Sequence, residues 1–157
     1  MNNGETNHNG AALELVCFRL GDETYALNAA NVAEIVAAEA LSLKPQFPSF
    51  VFGLTSTGRR SVAFLDLKQC FGLPYTPLTA EAKIVVLSVR CAVFGLLVDE
   101  VLENMRPLQA YALPPSKEKL AQTKNCALGL VREAVRVAIL LDSQRLAALL
   151  DGMINKL

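Results

Sequence analysis

The chain has 157 residues, 52% of them hydrophobic, with Lys plus Arg and Asp plus Glu both totalling 15. A chain of this size and apolarity can bury a sizeable core of its own, so it needs neither disulfides nor a metal to fold. Balanced charge argues against a general nucleic-acid binder, whose surface is normally basic, and it gives little support to binding of anionic membranes.

Residues 1–12 open polar and rich in Gly and Asn, without the basic start and apolar centre of a signal peptide, and read as a disordered leader. No apolar run approaches the roughly 18 residues that span a bilayer. The protein is therefore expected to be soluble and cytoplasmic, with residues 13–157 as a single domain.

Leu13–Leu20 alternates in the strand sense, with Glu14 and Arg19 as its charged members. Gly21-Asp22 signals a turn and Thr24–Leu27 a short returning strand. Asn28 or Asn31 caps a predicted short helix, AANVAEIV. Its Val32, Ile35 and Val36 share one face at helical spacing, and Glu34 lies on the other. Leu41–Lys44 is a candidate strand, after which Pro45 and Pro48 force an extended connection. Phe50–Thr57 and Ser61–Leu67 read as a hairpin around a Gly58-Arg59-Arg60 tip. Asp66 caps a helical turn, LKQCF, stopped at Gly72. Residues 73–79 carry Pro74 and Pro77 and read as a linker between two lobes.

Ile84–Val89 and Val93–Val98, joined through Arg90, form a buried hairpin, and Asp99–Met105 continues extended. Arg106–Pro115 bears prolines, and Ser116–Lys124 is a polar loop with a helical turn. Ala127–Val131 and Ala134–Leu141 make a last hairpin. Asp142 or Ser143 then caps a terminal helix whose Leu146, Leu149, Leu150 and Ile154 form an apolar stripe. Some ten short strands with few helices favour barrels or a sandwich over a parallel sheet.

No catalytic constellation emerges. His8, the one histidine, sits in the polar leader, so no Ser or Cys has a base beside it. The four cysteines at 17, 70, 91 and 126 form no CxxC pair, and neither a metal nor any other cofactor is expected. They read as small buried hydrophobes in a reducing compartment. Asp66, Asp99 and Asp142 each follow an apolar strand and read as caps that accept backbone N–H bonds. Phe47, Phe50 and Phe52 suggest either core or a stacking platform for bases. A single-stranded nucleic-acid-binding barrel is therefore the alternative to a protein-binding module.

The order of these fragments resembles the CheW-type coupling proteins of bacterial chemosensory systems, from about residue 16 to residue 150. FRLGDETYALN followed by VAEIV is similar to the family's opening. P-x-F-V-x-G at 48–53, a hairpin, and VAFLDLK at 62–68 fit its centre. FGLLVDEV at 94–101, then LPP, LGLV and ILLD, fit its second half. The resemblance implies a mainly β fold: two small five-stranded barrels around a shared apolar core, with short helices and a C-terminal helix. It implies no catalysis; that there is no nucleic-acid partner and no membrane insertion is expected from the charge balance and the short apolar runs. As partners it implies the regulatory domain of a CheA-type histidine kinase, docking at Val32 and Glu34, and a chemoreceptor cytoplasmic tip. The receptor would lie in a groove marked by Gly53, Leu54, Ser56, Thr57, Gly58 and Arg59. In that groove the family usually reads N-L-R-G with a later Pro, whereas this chain has Ser56-Thr57-Gly58-Arg59 and Ala63.

Overall fold

The computed structural model describes residues 13–38, 51–57, 60–74, 76–107 and 112–156; of 51–57, 60–61 and 112 it describes the backbone alone. The leader and the candidate strand Leu41–Lys44 lie outside the described residues. The strands are β1 (Leu15–Leu20), β2 (Glu23–Asn28), β3 (Val32–Ala37), β4 (Val51–Thr57), β5 (Arg60–Asp66), β6 (Lys83–Val89), β7 (Ala92–Val98), β8 (Glu100–Met105), β9 (Ala112–Leu113), β10 (Ala127–Glu133) and β11 (Arg136–Leu141). The helices are α1 (Leu67–Cys70), α2 (Lys117–Gln122) and α3 (Ser143–Ile154).

The strands form two sheets. One has six strands in the order β8-β1-β2-β11-β10-β9, the other five in the order β3-β6-β7-β5-β4. Neighbouring hairpins pair antiparallel, but β11 lies parallel to β2 and β5 parallel to β7. Neither ladder closes on itself among the described residues. In the six-stranded sheet, side chains bridge the opening instead. Arg136 donates to the Glu103 and Asn104 carbonyls at 2.6 and 3.3 Å, and the Glu133 carboxylate accepts from the Arg106 N–H at 2.9 Å.

The core falls into three clusters. Leu15, Cys17, Ala26, Met105, Val131 and Leu140 form a cluster within the six-stranded sheet. Ala38, Ala82, Ile84 and Leu97 form one at the five-stranded sheet. The largest cluster is shared by both sheets and includes Phe18, Tyr25, Leu65, Val85, Leu96 and Ile139, with Leu146 and Leu150 of α3. The mainly β fold with two sheets on a common core is as expected, but one sheet has six strands rather than five and neither forms a closed barrel among the described residues.

One expected element is wrong. The helix over AANVAEIV is only a 3-10 turn, Ala29–Asn31, whose Asn28 cap accepts from the Ala30 N–H at 2.9 Å. From Val32 the chain is β3, antiparallel to β6. Val32, Ile35 and Val36 are β-branched and lose rotamer freedom in a helix, whereas a strand accommodates them and β6 supplies a ladder partner. The other helical expectations hold. Asp66 accepts from the Lys68 N–H at 3.1 Å and starts α1. Gly72, at φ +71°, ends it, a conformation that only Gly adopts freely. Asp142 accepts from the Gln144 and Arg145 N–H groups at 2.9 and 3.2 Å and caps α3.

Candidate functional site

β3 is an edge strand of its sheet among the described residues. Strand side chains normally alternate between faces, but the register shifts between Val32 and Glu34. Such a bulge breaks the alternation. Val32 is half-buried against the shared core, and Ala33, Glu34 and Ile35 are then exposed in succession. Ile35, 39% exposed, leaves an apolar side chain accessible next in the chain to the exposed Glu34, on an edge strand among the described residues. The structure therefore brings Val32 and Glu34 to one accessible strand, not to a helix face.

Gly53, Leu54, Ser56 and Thr57 lie on β4, opposite Phe64, Ala63, Ser61 and Arg60 of β5. Their side chains, and Gly58 and Arg59 altogether, lie outside the described residues. Next to this ladder is an open groove of about 720 Å³. Ala63, the ladder partner of Leu54, lines it together with the β6–β7 turn from Val89 to Phe94. Gln144, Ala147, Ala148 and Asp151 of α3 form its other wall. Those four positions have i, i+3, i+4, i+7 spacing, so they share a helix face. The sequence reading named the apolar stripe of α3 but overlooked this small-residue face, although the spacing was there to see. The turn at Arg90 is legible in the sequence, but its place in the groove is not. Among the described residues, Arg90 and Asp151 give the lining one charge of each sign.

Cys91 stands exposed in the same turn, whereas Cys17, Cys70 and Cys126 are buried. The expectation of four buried thiols thus fails at the residue that the hairpin leaves in its loop. Burial, with the nearby Asp66 carboxylate second, pushes the Cys70 thiol up to about 12.

Asp99 is not a helix cap, unlike Asp66 and Asp142. Its Oδ2 accepts from the Gly21 N–H at 2.7 Å, and its Oδ1 meets the Lys68 ammonium at 2.9 Å. Lys68 is 4% exposed and also donates to the Thr76 hydroxyl. Burial raises the pKa of the neighbouring Asp66 carboxyl, an effect that backbone N–H bonds to Gln69 and Lys68 and the Lys68 charge oppose. Among the described residues no group of three His, Cys, Asp or Glu could hold a metal ion, and no helix is long and apolar enough to cross a membrane.

Two sheets on one core, an open edge strand and an apolar groove define a two-lobed β scaffold with surfaces suited to docking. The chain belongs to the family of CheW-like domains, which it matches over residues 14–150. It is 26% identical over 133 residues to a probable chemotaxis protein CheW of Rhizobium etli, a match covering 85% of this chain and 86% of that protein. To the chemotaxis protein CheW of Helicobacter pylori it is 25% identical over 133 residues, covering 85% and 80%. In fold it is similar to the crystal structure of the scaffolding protein TtCheW from Thermoanaerobacter tengcongensis, with TM-score 0.70 and 23% identity, covering 83% of this chain and 88% of that one.

Proposed function

We propose that this protein is a non-enzymatic adaptor of a bacterial chemosensory system, joining a CheA-type histidine kinase to the cytoplasmic tip of a chemoreceptor. The exposed run at Val32 and Glu34 on β3 takes the kinase's regulatory domain. The groove beside the Leu54–Ala63 ladder takes a helix of the receptor tip, a helix-in-groove contact. The observation that carries the reading is the groove itself, where the small side chains of Ala147 and Ala148 on α3, flanked by Gln144 and Asp151, leave room for a helix. Membership of the CheW-like family and likeness to two chemotaxis proteins CheW support it. The Ser56-Thr57-Gly58-Arg59 departure falls at the receptor surface, so receptor choice is where this adaptor differs from the family pattern.

Titration calorimetry tests this directly, first with the regulatory domain of the kinase from the same genome and then with its receptor tips. Binding to both is expected. Binding to the kinase alone would remove the receptor half, and binding to neither would leave the fold without this function.

A further inference from the structure

Among the described residues the chain passes between the two sheets at two short crossings. One is the 3-10 turn Ala29–Asn31; the other is Asp99 alone, between β7 and β8. A single residue offers two soft backbone torsions and no ladder of its own. Yet Asp99 is tied down by three close contacts, with the Arg19 guanidinium a looser fourth at 3.9 Å from Oδ2. Its N–H donates to the Arg19 carbonyl at 3.0 Å, and its Oδ2 accepts from the Gly21 N–H at 2.7 Å, both in the β1–β2 hairpin. Its Oδ1 meets Lys68 at 2.9 Å, on the helix that directly follows β5 of the other sheet. Otherwise the sheets meet largely through the shared apolar cluster. Apolar burial is non-directional and holds two sheets together without fixing their angle. Charge-assisted hydrogen bonds are directional and do fix it.

We infer that Lys68 and Asp99 form a pin that sets the angle between the two sheets, and through it the width of the groove. Phe94, on the groove wall, precedes Asp99 on one extended run, a span of roughly 16 Å. The opposing wall, α3, follows β11 of the six-stranded sheet. α3 also packs on β6 of the five-stranded sheet, so it spans both sheets, and rotation at Asp99 shifts its root at β11 against the β6–β7 turn. Lys68 and Asp99 act through the groove as positioning residues and touch no partner.

The test reads the angle before any binding. Spin labels go on native Cys91, exposed in the five-stranded sheet, and on Val135→Cys, a position 95% exposed at the tip of the six-stranded sheet's β10–β11 hairpin. The distance distribution is expected to be narrow in this background and broad once Lys68→Met and Asp99→Asn are added together. The neutral pair avoids the charge imbalance that either change alone would leave, a buried Lys68 without Asp99 or an Asp99 whose charge faces only Arg19 at 3.9 Å. Lys68→Arg alone, which keeps the charge opposite native Asp99, should leave the distribution narrow. In unlabelled protein the neutral pair should lose about tenfold in affinity for the receptor tip if the competent angle falls to about a tenth of the population. Kinase binding at β3, within one sheet, should not change. A narrow distribution in the folded neutral pair overturns the inference. Loss of its fold does so equally, because the pair would then serve stability and not angle. The binding half rests on the adaptor reading; if the unsubstituted protein binds no receptor tip, that reading fails while the label distances still decide the pin.

Discussion

Burial separates one thiol of this protein from the other three. Cys91 is exposed in its turn, while Cys17, Cys70 and Cys126 are buried and free. A thiol reacts as its thiolate, so burial acts twice, by blocking access and by raising the pKa. At about pH 8 a disulfide reagent should modify one thiol per chain quickly and the others only in denaturant; a second fast thiol would contradict the assignment. The same burial sets an alkaline limit. Burial raises Cys126 to about 11, with the Asp142 charge second, and Tyr25 to about 12, with Glu23 second. Cys70 likewise stands at about 12. All three folded values lie above the unfolded ones of 9.0 for the thiols and 10.0 for the phenol. The stability tied to these protons is therefore complete below the unfolded values and is lost as pH rises from there through the folded ones. The urea midpoint should fall between neutral pH and about 10.5. Tyr25 has a further liability: its hydroxyl is fully buried with no hydrogen-bond partner among the described residues. An unsatisfied buried hydroxyl costs about 1–3 kcal/mol. Tyr25→Phe should hold or raise the urea midpoint at neutral pH and reduce its alkaline decline, and a lower neutral midpoint would refute the unpaired state.

At the scale of elements, hairpins were legible because each is a local pattern. Gly21-Asp22, Arg90 and Asp142 mark turns and a cap within a few residues of the strands that they join. β3 was misread because Val32, Ile35 and Val36 repeat at helical spacing while their real partner, β6, lies far along the chain. The two parallel pairings carry no local signal at all, since nothing in β2 names β11. Of the site, the position of Val32 and Glu34 came from resemblance. The α3 wall was present in the spacing, and the Lys68–Asp99 pair became visible only when two distant segments met. One sequence feature of β7 gains its reason from packing. A Cβ on Gly95 would stand 2.3 Å from Cδ1 of Phe64 and 3.2 Å from Cγ2 of Ile84. β5 and β7 pair there in parallel, Phe64 opposite Gly95, so neither backbone can retreat without breaking the ladder. Gly95→Ala should destabilise by about 1–3 kcal/mol, the usual effect of overpacking. Phe64→Leu should recover part of this in the double variant, and additive losses would show that the ring is not what the methyl meets.

For the whole molecule, the two proposed docking surfaces sit on different parts of one fold. The proposed kinase surface lies on a single strand at the edge of the five-stranded sheet, and the proposed receptor groove has walls tied to both sheets. An adaptor that only holds its partners together needs no energetic coupling between them; proximity alone raises their effective concentration. A switch would need two arrangements of the molecule that the partners favour differently. The pinned crossing at Asp99 and the shared core supply one arrangement, so the surfaces should act independently. Glu34→Arg reverses an exposed charge on β3, and Ala148→Trp fills the groove from an exposed position on α3. Glu34→Arg is expected to weaken kinase binding alone, and Ala148→Trp receptor binding alone. In the double variant each loss should match its single-variant value within about 0.5 kcal/mol, the usual limit for separate sites. The partners should likewise titrate with the same affinity whether or not the other is bound. A receptor-tip affinity that changes on saturation with the kinase domain would show that the lobes move, and that this protein transmits a signal through its own conformation instead of by holding two partners side by side.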